Sequence, residues 1–270
     1  ERSKTMFEGK RIIDLSVPLA ENAGYEVRPL KIDRKTHAEG LKDHTTRFQC
    51  EPKDLPSGGQ GYAVEIMQVA THAGTHIDAP WHYGPVCEGK PSKTIDQMPL
   101  EYCFGPGVCL DFRRFGDGYV ITADDIKAEE KRIGYDIKAR DIVLIMTGCD
   151  KKIKPGYSEA NVRFENDYFR QPGLGRESVL YLTGKGVKVI GIDAWGMDTS
   201  FPAMVETRLR TGDCSGVWQA HYAGIEQEYF HIEKLVNLDL LPPYGFDVIC
   251  VPIKIEKASA GWSRVLAIVP

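Results

Sequence analysis

Three of the chain's seven histidines and an aspartate fall within "THAGTHIDAPWH", Thr71 to His82. His72, His76 and Asp78 form the pattern H-x3-H-x-D. On a helix, a four-residue gap would stack the two histidines on one face. Gly74 between them and the β-branched Thr75 and Ile77 disfavour that helix. The spacing instead predicts a strand end and a tight turn that folds the three side chains around one point. Pro80 stiffens the exit and delivers His82 to the same mouth.

Neutral imidazole nitrogens and a carboxylate suit Zn, Mn or Fe better than Ca or Mg. A lone histidine in a loop is usually solvated or hydrogen-bonded to its neighbours. Two of them with an aspartate at this spacing, between Gly and Pro, favour a metal. Three protein donors leave open coordination positions, as catalytic sites do. A structural site would normally be closed by a fourth thiolate or imidazole, and the stretch contains no cysteine.

Around this stretch the chain reads as several strands and fewer helices. "RIIDLSVPL" (11–19), "YAVEIMQVAT" (62–71), "GPGVCLDF" (105–112), "DIVLIMTG" (141–148) and "VKVIGID" (187–193) read as strands, with "FDVICVPIKI" and "RVLAIVP" near the end. "ITADDIKAEEKRI" predicts a helix capped by Thr122, and "GRESVLYLTGKG" a helix stopped by Gly184 and Gly186. Strands outnumber helices, so the class is α/β with a β-rich core. No repeat or linker divides the sequence, and one domain over 1–270 is expected. Residues 20–60 are polar and aperiodic, and such a segment in a compact domain suits an arm or a lid.

Composition excludes several functions. A net charge of −4 offers no footprint for nucleic acid or an anionic membrane. No apolar run approaches the roughly 20 residues of a membrane span. The polar start "ERSKTMFEGK" lacks the apolar core of a secretory signal. Seven scattered cysteines without C-x-x-C imply a reducing, cytoplasmic setting rather than a disulfide framework. Cys109, Cys149 and Cys250 lie in apolar runs and are expected to pack as small hydrophobes. "PGLGRES" lacks the dinucleotide fingerprint, and the G-x-S-x-G nucleophile elbow is absent. "GIDAWGMDTSFP" (191–202) follows a buried strand; it reads equally as a turn with capping aspartates and a packed tryptophan, or as a pocket wall.

"HAGTHIDAPWH" resembles the signature H-x-G-T-H-x-D-x-P-x-H of the metal-dependent cyclase family, with all seven specified positions of eleven present. That family includes bacterial kynurenine formamidases and isatin hydrolases. Similarity continues through "IIDLSVPL", "DIVLIMTG", "VKVIGIDAWGMD" and "VPIKIEKASAGWSRVLAIV". The resemblance implies a swivelling β/β/α fold with a β-barrel-like core and flanking helices, assembled as a homodimer or higher homo-oligomer. It implies that His72, His76 and Asp78 bind a first metal, zinc or manganese. Members with a second metal share the aspartate and add a histidine and a glutamate twelve residues apart. His221 and Glu233 match that spacing (233 − 221 = 12). His231, two residues before Glu233, is a rival ligand and is taken as a surface or supporting histidine.

By the same resemblance His82 is the acid/base. A metal ion lowers the pKa of water it binds, and an imidazole beside it can carry the proton to a leaving nitrogen. The function implied is hydrolysis of an amide-type C–N bond in a small cyclic or aryl amide, isatin- or N-formylkynurenine-like. Trp81 would offer such a planar substrate a face. Two rivals are a lactone hydrolase of the dienelactone type and a metal-binding module without turnover, which would not need His82.

Overall fold

The computed structural model describes residues 9–270. The start of the polar N-terminal stretch, residues 1–8, lies outside the described residues. The chain divides into two compact units, residues 29–70 and the remainder.

The larger unit is built on a nine-stranded mixed sheet. Across it run Arg11–Asp14, Leu266–Val269, Tyr244–Ile249, Phe104–Asp111, Ile142–Met146, Val189–Ile192, Phe230–Glu233, His76–Asp78 and Ala260–Trp262. The four strands from Phe104–Asp111 to Phe230–Glu233 are mutually parallel, and the pairings on either side are antiparallel. Helices Ala123–Ile133, Arg176–Gly184 and Gln219–Glu226 occupy the crossovers between parallel neighbours. Strands covered on both faces should be apolar throughout, and the fully buried run Ile-Val-Leu-Ile-Met of 142–146 is. Val143, Ile145, Ile190 and Ile192 face Ile126, Val179, Leu182 and Ala220 on the helices. Leu144, Val189, Ile77 and Ile232 face a second cluster with Leu15, Phe246, Val248 and Ala267.

The sheet curls toward closure. Its edge strand Arg11–Asp14 continues into Leu15, whose carbonyl accepts from Val236 N–H at 3.0 Å, and Ser16 bridges Leu235. Both partners follow the Phe230–Glu233 strand near the far edge. This agrees with the barrel-like expectation.

The Thr122 cap is present: Asp125 N–H donates to Thr122 Oγ1 at 3.2 Å, and Asp125 Oδ2 accepts from Thr122 N–H at 2.9 Å. Gly134, at φ 69°, ends that helix. The seven cysteines are all free, with Cys109, Cys149 and Cys250 buried in the core. Burial pushes those three thiols up from their ordinary pKa.

The smaller unit corrects the expectation of an irregular segment at 20–60. Lys31–Lys35 pairs antiparallel with Val64–Gln68, and His37–Phe48 is a helix of twelve residues. That helix is too polar for apolar periodicity to reveal it. A capping box starts it, with Glu39 Oε2 accepting from Thr36 N–H at 2.7 Å. The strand expected within 62–71 is present as Val64–Gln68, exposed along its length and closing this small sheet. Among the described residues, no helix is long and apolar enough to cross a membrane.

Candidate metal centre

Two tripeptides of nearly the same sequence make the floor of the centre. His76-Ile77-Asp78 and His231-Ile232-Glu233 lie side by side and antiparallel, with His231 opposite Asp78 and Glu233 opposite His76. Alternate side chains share one face of a strand. The two isoleucines therefore enter the core while two histidines and two carboxylates gather on the other face. The turn before the first tripeptide needs Gly74, at φ +60°, where a Cβ would also meet Leu19 Cδ2 at 2.8 Å. Gly74 N–H donates to Glu26 Oε1 at 2.6 Å, and Lys234 Nζ lies 3.0 Å from both Glu26 oxygens and from the His72 carbonyl. This buried ion pair fixes the turn that carries His72.

His72 Nδ1 lies 2.8 Å from Asp78 Oδ1, and His76 Nε2 lies 3.2 Å from the same oxygen. His76 Nδ1 sits 2.8 Å from the Gly74 carbonyl. A carbonyl only accepts, so Nδ1 carries a proton, and it is Nε2 that faces Asp78. His76 Nε2 is buried without a hydrogen-bond partner, and Asp78 Oδ1, though close to His72 Nδ1, has none of good hydrogen-bond geometry. Such orphans are costly unless something else satisfies them. Among the described residues, the ion-pair contacts of Asp78 and Glu233 are all to histidines, never to lysine or arginine. A divalent ion fits this donor set and these orphaned atoms.

On the other side of Asp78, His221 comes from the Gln219–Glu226 helix. Its Nε2 is 4.0 Å from Asp78 Oδ2 and 3.8 Å from Glu233 Oε1. Residues 78, 221 and 233 thus converge, as the resemblance implied. Burial alone would raise the Asp78 and Glu233 carboxyls, but the surrounding histidines hold Asp78 well below its ordinary pKa and Glu233 at about 2.

His82 sits on the single turn Pro80–Tyr83, with Nε2 3.7 Å from Asp78 Oδ2 and its side chain 24% exposed. Burial, against the opposing charge of Asp78, lowers its pKa to about 4. Trp81, on the same turn, is 45% exposed. The aromatic face nearest His82 is instead Trp218, with ring centroids 5.6 Å apart; the same indole stacks on His221 at 4.4 Å.

Four residues here contribute more than the sequence assigns them. His231, expected as a surface or supporting histidine, is fully buried, with Nε2 3.0 Å from Asp78 Oδ2 and 3.1 Å from Glu233 Oε1. The repeated H-I-acid tripeptide was its signal. Tyr229 and Trp218 carried no pattern. Asp198 belongs to "GIDAWGMDTSFP", for which both readings hold in part. Trp195 packs against Phe164 and Phe201, and Ser200 rather than an aspartate caps the next helix. Asp198 Oδ2, however, bonds His221 Nδ1, and Oδ1 accepts from Ala220 N–H at 2.7 Å. Met197 N–H donates to Glu233 Oε1 at 3.1 Å.

Known proteins place this architecture. The cyclase family model matches residues 13–199. Isatin hydrolase of Roseibium aggregatum is 30% identical, over 80% of this chain and 79% of that protein. Kynurenine formamidase of Erythrobacter litoralis is 26% identical, over 82% of this chain and 84% of that protein. Isatin hydrolase A from Ralstonia solanacearum shares the fold at a TM-score of 0.74 and 23% identity, covering 100% of this chain and 99% of that one. An isatin hydrolase bound to the product analogue thioisatinate does so at 0.72 and 24% identity, covering 97% and 94%. The family model spans well over half of the chain, and so the chain belongs to the cyclase family.

Proposed function

We propose that this protein is a metal-dependent hydrolase that opens an amide-type C–N bond in a small cyclic or aryl amide such as isatin or N-formylkynurenine. The observation that carries the reading is the orphaned pair His76 Nε2 and Asp78 Oδ1, buried beside His72 and within reach of His82. Relatives named isatin hydrolase and kynurenine formamidase support an amide over a lactone. His72, His76 and Asp78 would hold the ion, with His221 and Glu233 offering donors for a second across the shared aspartate. Zinc and manganese both suit imidazole and carboxylate donors.

A bound divalent ion would supply the charge that acidifies water and polarises the scissile carbonyl. The chain's own residues do the rest. His82, neutral at pH 7 with its lowered pKa, accepts the proton of the attacking water and returns it to the leaving nitrogen. Asp78 faces that ring and steadies the charged imidazolium that forms in between. Trp218, and Trp81 from the rim, offer flat apolar faces to a planar substrate.

Homo-oligomeric assembly and a reducing, cytoplasmic setting belong to the same proposal. The first draws support from exposed Ile66 and Phe48 on the smaller unit, and the second from seven free cysteines. The test is kcat/KM on isatin, N-formylkynurenine and an unsaturated lactone. The reading expects an amide to lead by at least tenfold. A lactone in that position would favour the dienelactone alternative, and no turnover of any would leave a metal-binding module.

A further inference from the structure

One further side chain reaches the centre from the C-terminal stretch "VPIKIEKASAGWSRVLAIV": that of Ser259. We infer that Ser259 is a positioning residue for hydrolysis: its hydroxyl pins the His72 ring with Nδ1 turned to the metal, and so keeps the ion in place beside His82. The inference rests on reading the cluster as a metal centre, and gives a role to a residue that neither the motif nor the resemblance assigns.

The path of the chain puts Ser259 there. Residues 259–263 run antiparallel along the motif, with Ala260 opposite Asp78 and Trp262 opposite His76. Ser263 N–H donates to the Thr75 carbonyl at 3.1 Å, and Ala79 N–H donates to the Ser259 carbonyl at 2.9 Å. The main chain of Ser259 thus grips the far end of the ligand stretch. Its Oγ returns to the near end, 3.0 Å from His72 Nε2 and 187 positions away in sequence. One residue ties both ends of the turn.

The place of the ring proton follows from the other nitrogen. His72 Nδ1 and Asp78 Oδ1 are 2.8 Å apart, yet that oxygen has no partner of good hydrogen-bond geometry. A protonated Nδ1 at this distance would be expected to aim its hydrogen at the oxygen. Two atoms that approach without bonding are instead aimed at a common third point. A ligating imidazole nitrogen is unprotonated, so the proton belongs on Nε2, where Ser259 Oγ accepts it. His76 is held in the opposite sense, by the Gly74 carbonyl at Nδ1.

Exposure explains why His72 needs this contact. The His76 side chain is fully buried, whereas that of His72 is 30% exposed. Packing alone therefore leaves the His72 ring freer to turn. Its centroid lies 4.2 Å from that of His82, so a turn would shift the ion relative to the acid/base. A hydrogen bond at the far nitrogen of a ligating imidazole removes that freedom.

Zinc affinity of the whole chain, measured by competition with a chromophoric chelator, tests this. The ion to follow is the one lost in His72→Ala. Ser259→Ala should bind it roughly 10–100-fold more weakly, the usual cost of losing such a partner. Ser259→Thr keeps the hydroxyl and should recover most of that loss. In zinc-loaded wild type labelled with ¹⁵N-histidine, nuclear magnetic resonance should find the His72 ring proton on Nε2, exchanging slowly with water. Ser259→Ala should unfold earlier in urea than wild type when both are zinc-loaded, and by much less when both are stripped. Unchanged zinc affinity in Ser259→Ala would overturn the inference, as would Ser259→Thr as weak as Ser259→Ala or a His72 proton on Nδ1. Equal destabilisation with and without zinc would make the role merely structural and overturn it too. Each of these leaves the metal centre itself intact; a wild-type chain that binds no zinc would overturn both.

Discussion

At the scale of single residues, the account makes His82 essential to turnover and dispensable for metal. Positioned general acid–base groups typically contribute 10²–10⁴ in rate. His82→Ala should lose kcat by about that factor while elemental analysis finds its metal unchanged. Loss of metal in that variant would make His82 a ligand instead. Gly74 is the second test. Its φ is +60°, and a methyl group there would meet Leu19 Cδ2 at 2.8 Å. Gly74→Ala should therefore destabilise the chain by more than ~1 kcal/mol in urea unfolding. It should also weaken metal retention, because His72 and His76 flank the turn. The first candidate ligand set stands out in the sequence because all its members lie within seven residues, His72 to Asp78. His231 stands in the sequence only as a rival ligand: a histidine two positions from a glutamate is unremarkable until its strand is seen paired with a matching histidine–isoleucine–acid pattern.

At the scale of elements, the Thr122 box marks what local chemistry can specify. Thr122→Ala should cost about 1 kcal/mol of stability through the lost N-cap, read by chemical denaturation. The helix His37–Phe48 uses the same device, Thr36 with Glu39, yet was missed. Its apolar positions are too few to mark a face, so the cap had no periodic run behind it.

Asp193 joins the ends of two strands by accepting from Thr147 N–H at 2.7 Å and Gly148 N–H at 2.8 Å. Burial, opposed by these donors, raises its pKa from 3.8 to about 7. A carboxyl raised on folding stabilises fully below its ordinary pKa, and that stability is lost as pH rises through the folded value. The unfolding free energy of wild type relative to Asp193→Asn should therefore fall between about pH 4 and pH 7. A difference that is flat over that window would mean Asp193 is ionised throughout.

At the scale of the whole molecule, the strands of the sheet could be read individually, but their order could not. Apolar runs such as 142–146 announce burial without naming a neighbour. The antiparallel insertion of His76–Asp78 beside Phe230–Glu233 joins residues more than 150 positions apart (231 − 78 = 153). Spacing alone had no means to bring His221 and Glu233 to Asp78; family resemblance supplied that, and the curled sheet gives its physical cause. The central claim is that this convergence holds a metal ion on which hydrolysis depends. The direct measurement is the rate of isatin or N-formylkynurenine hydrolysis by chelator-stripped protein, before and after zinc or manganese is restored. The account predicts that stripping abolishes turnover and that one of the two metals recovers it, with His76→Ala recovering little. Stripped protein of verified low metal content that still hydrolyses the amide at the original rate would contradict it.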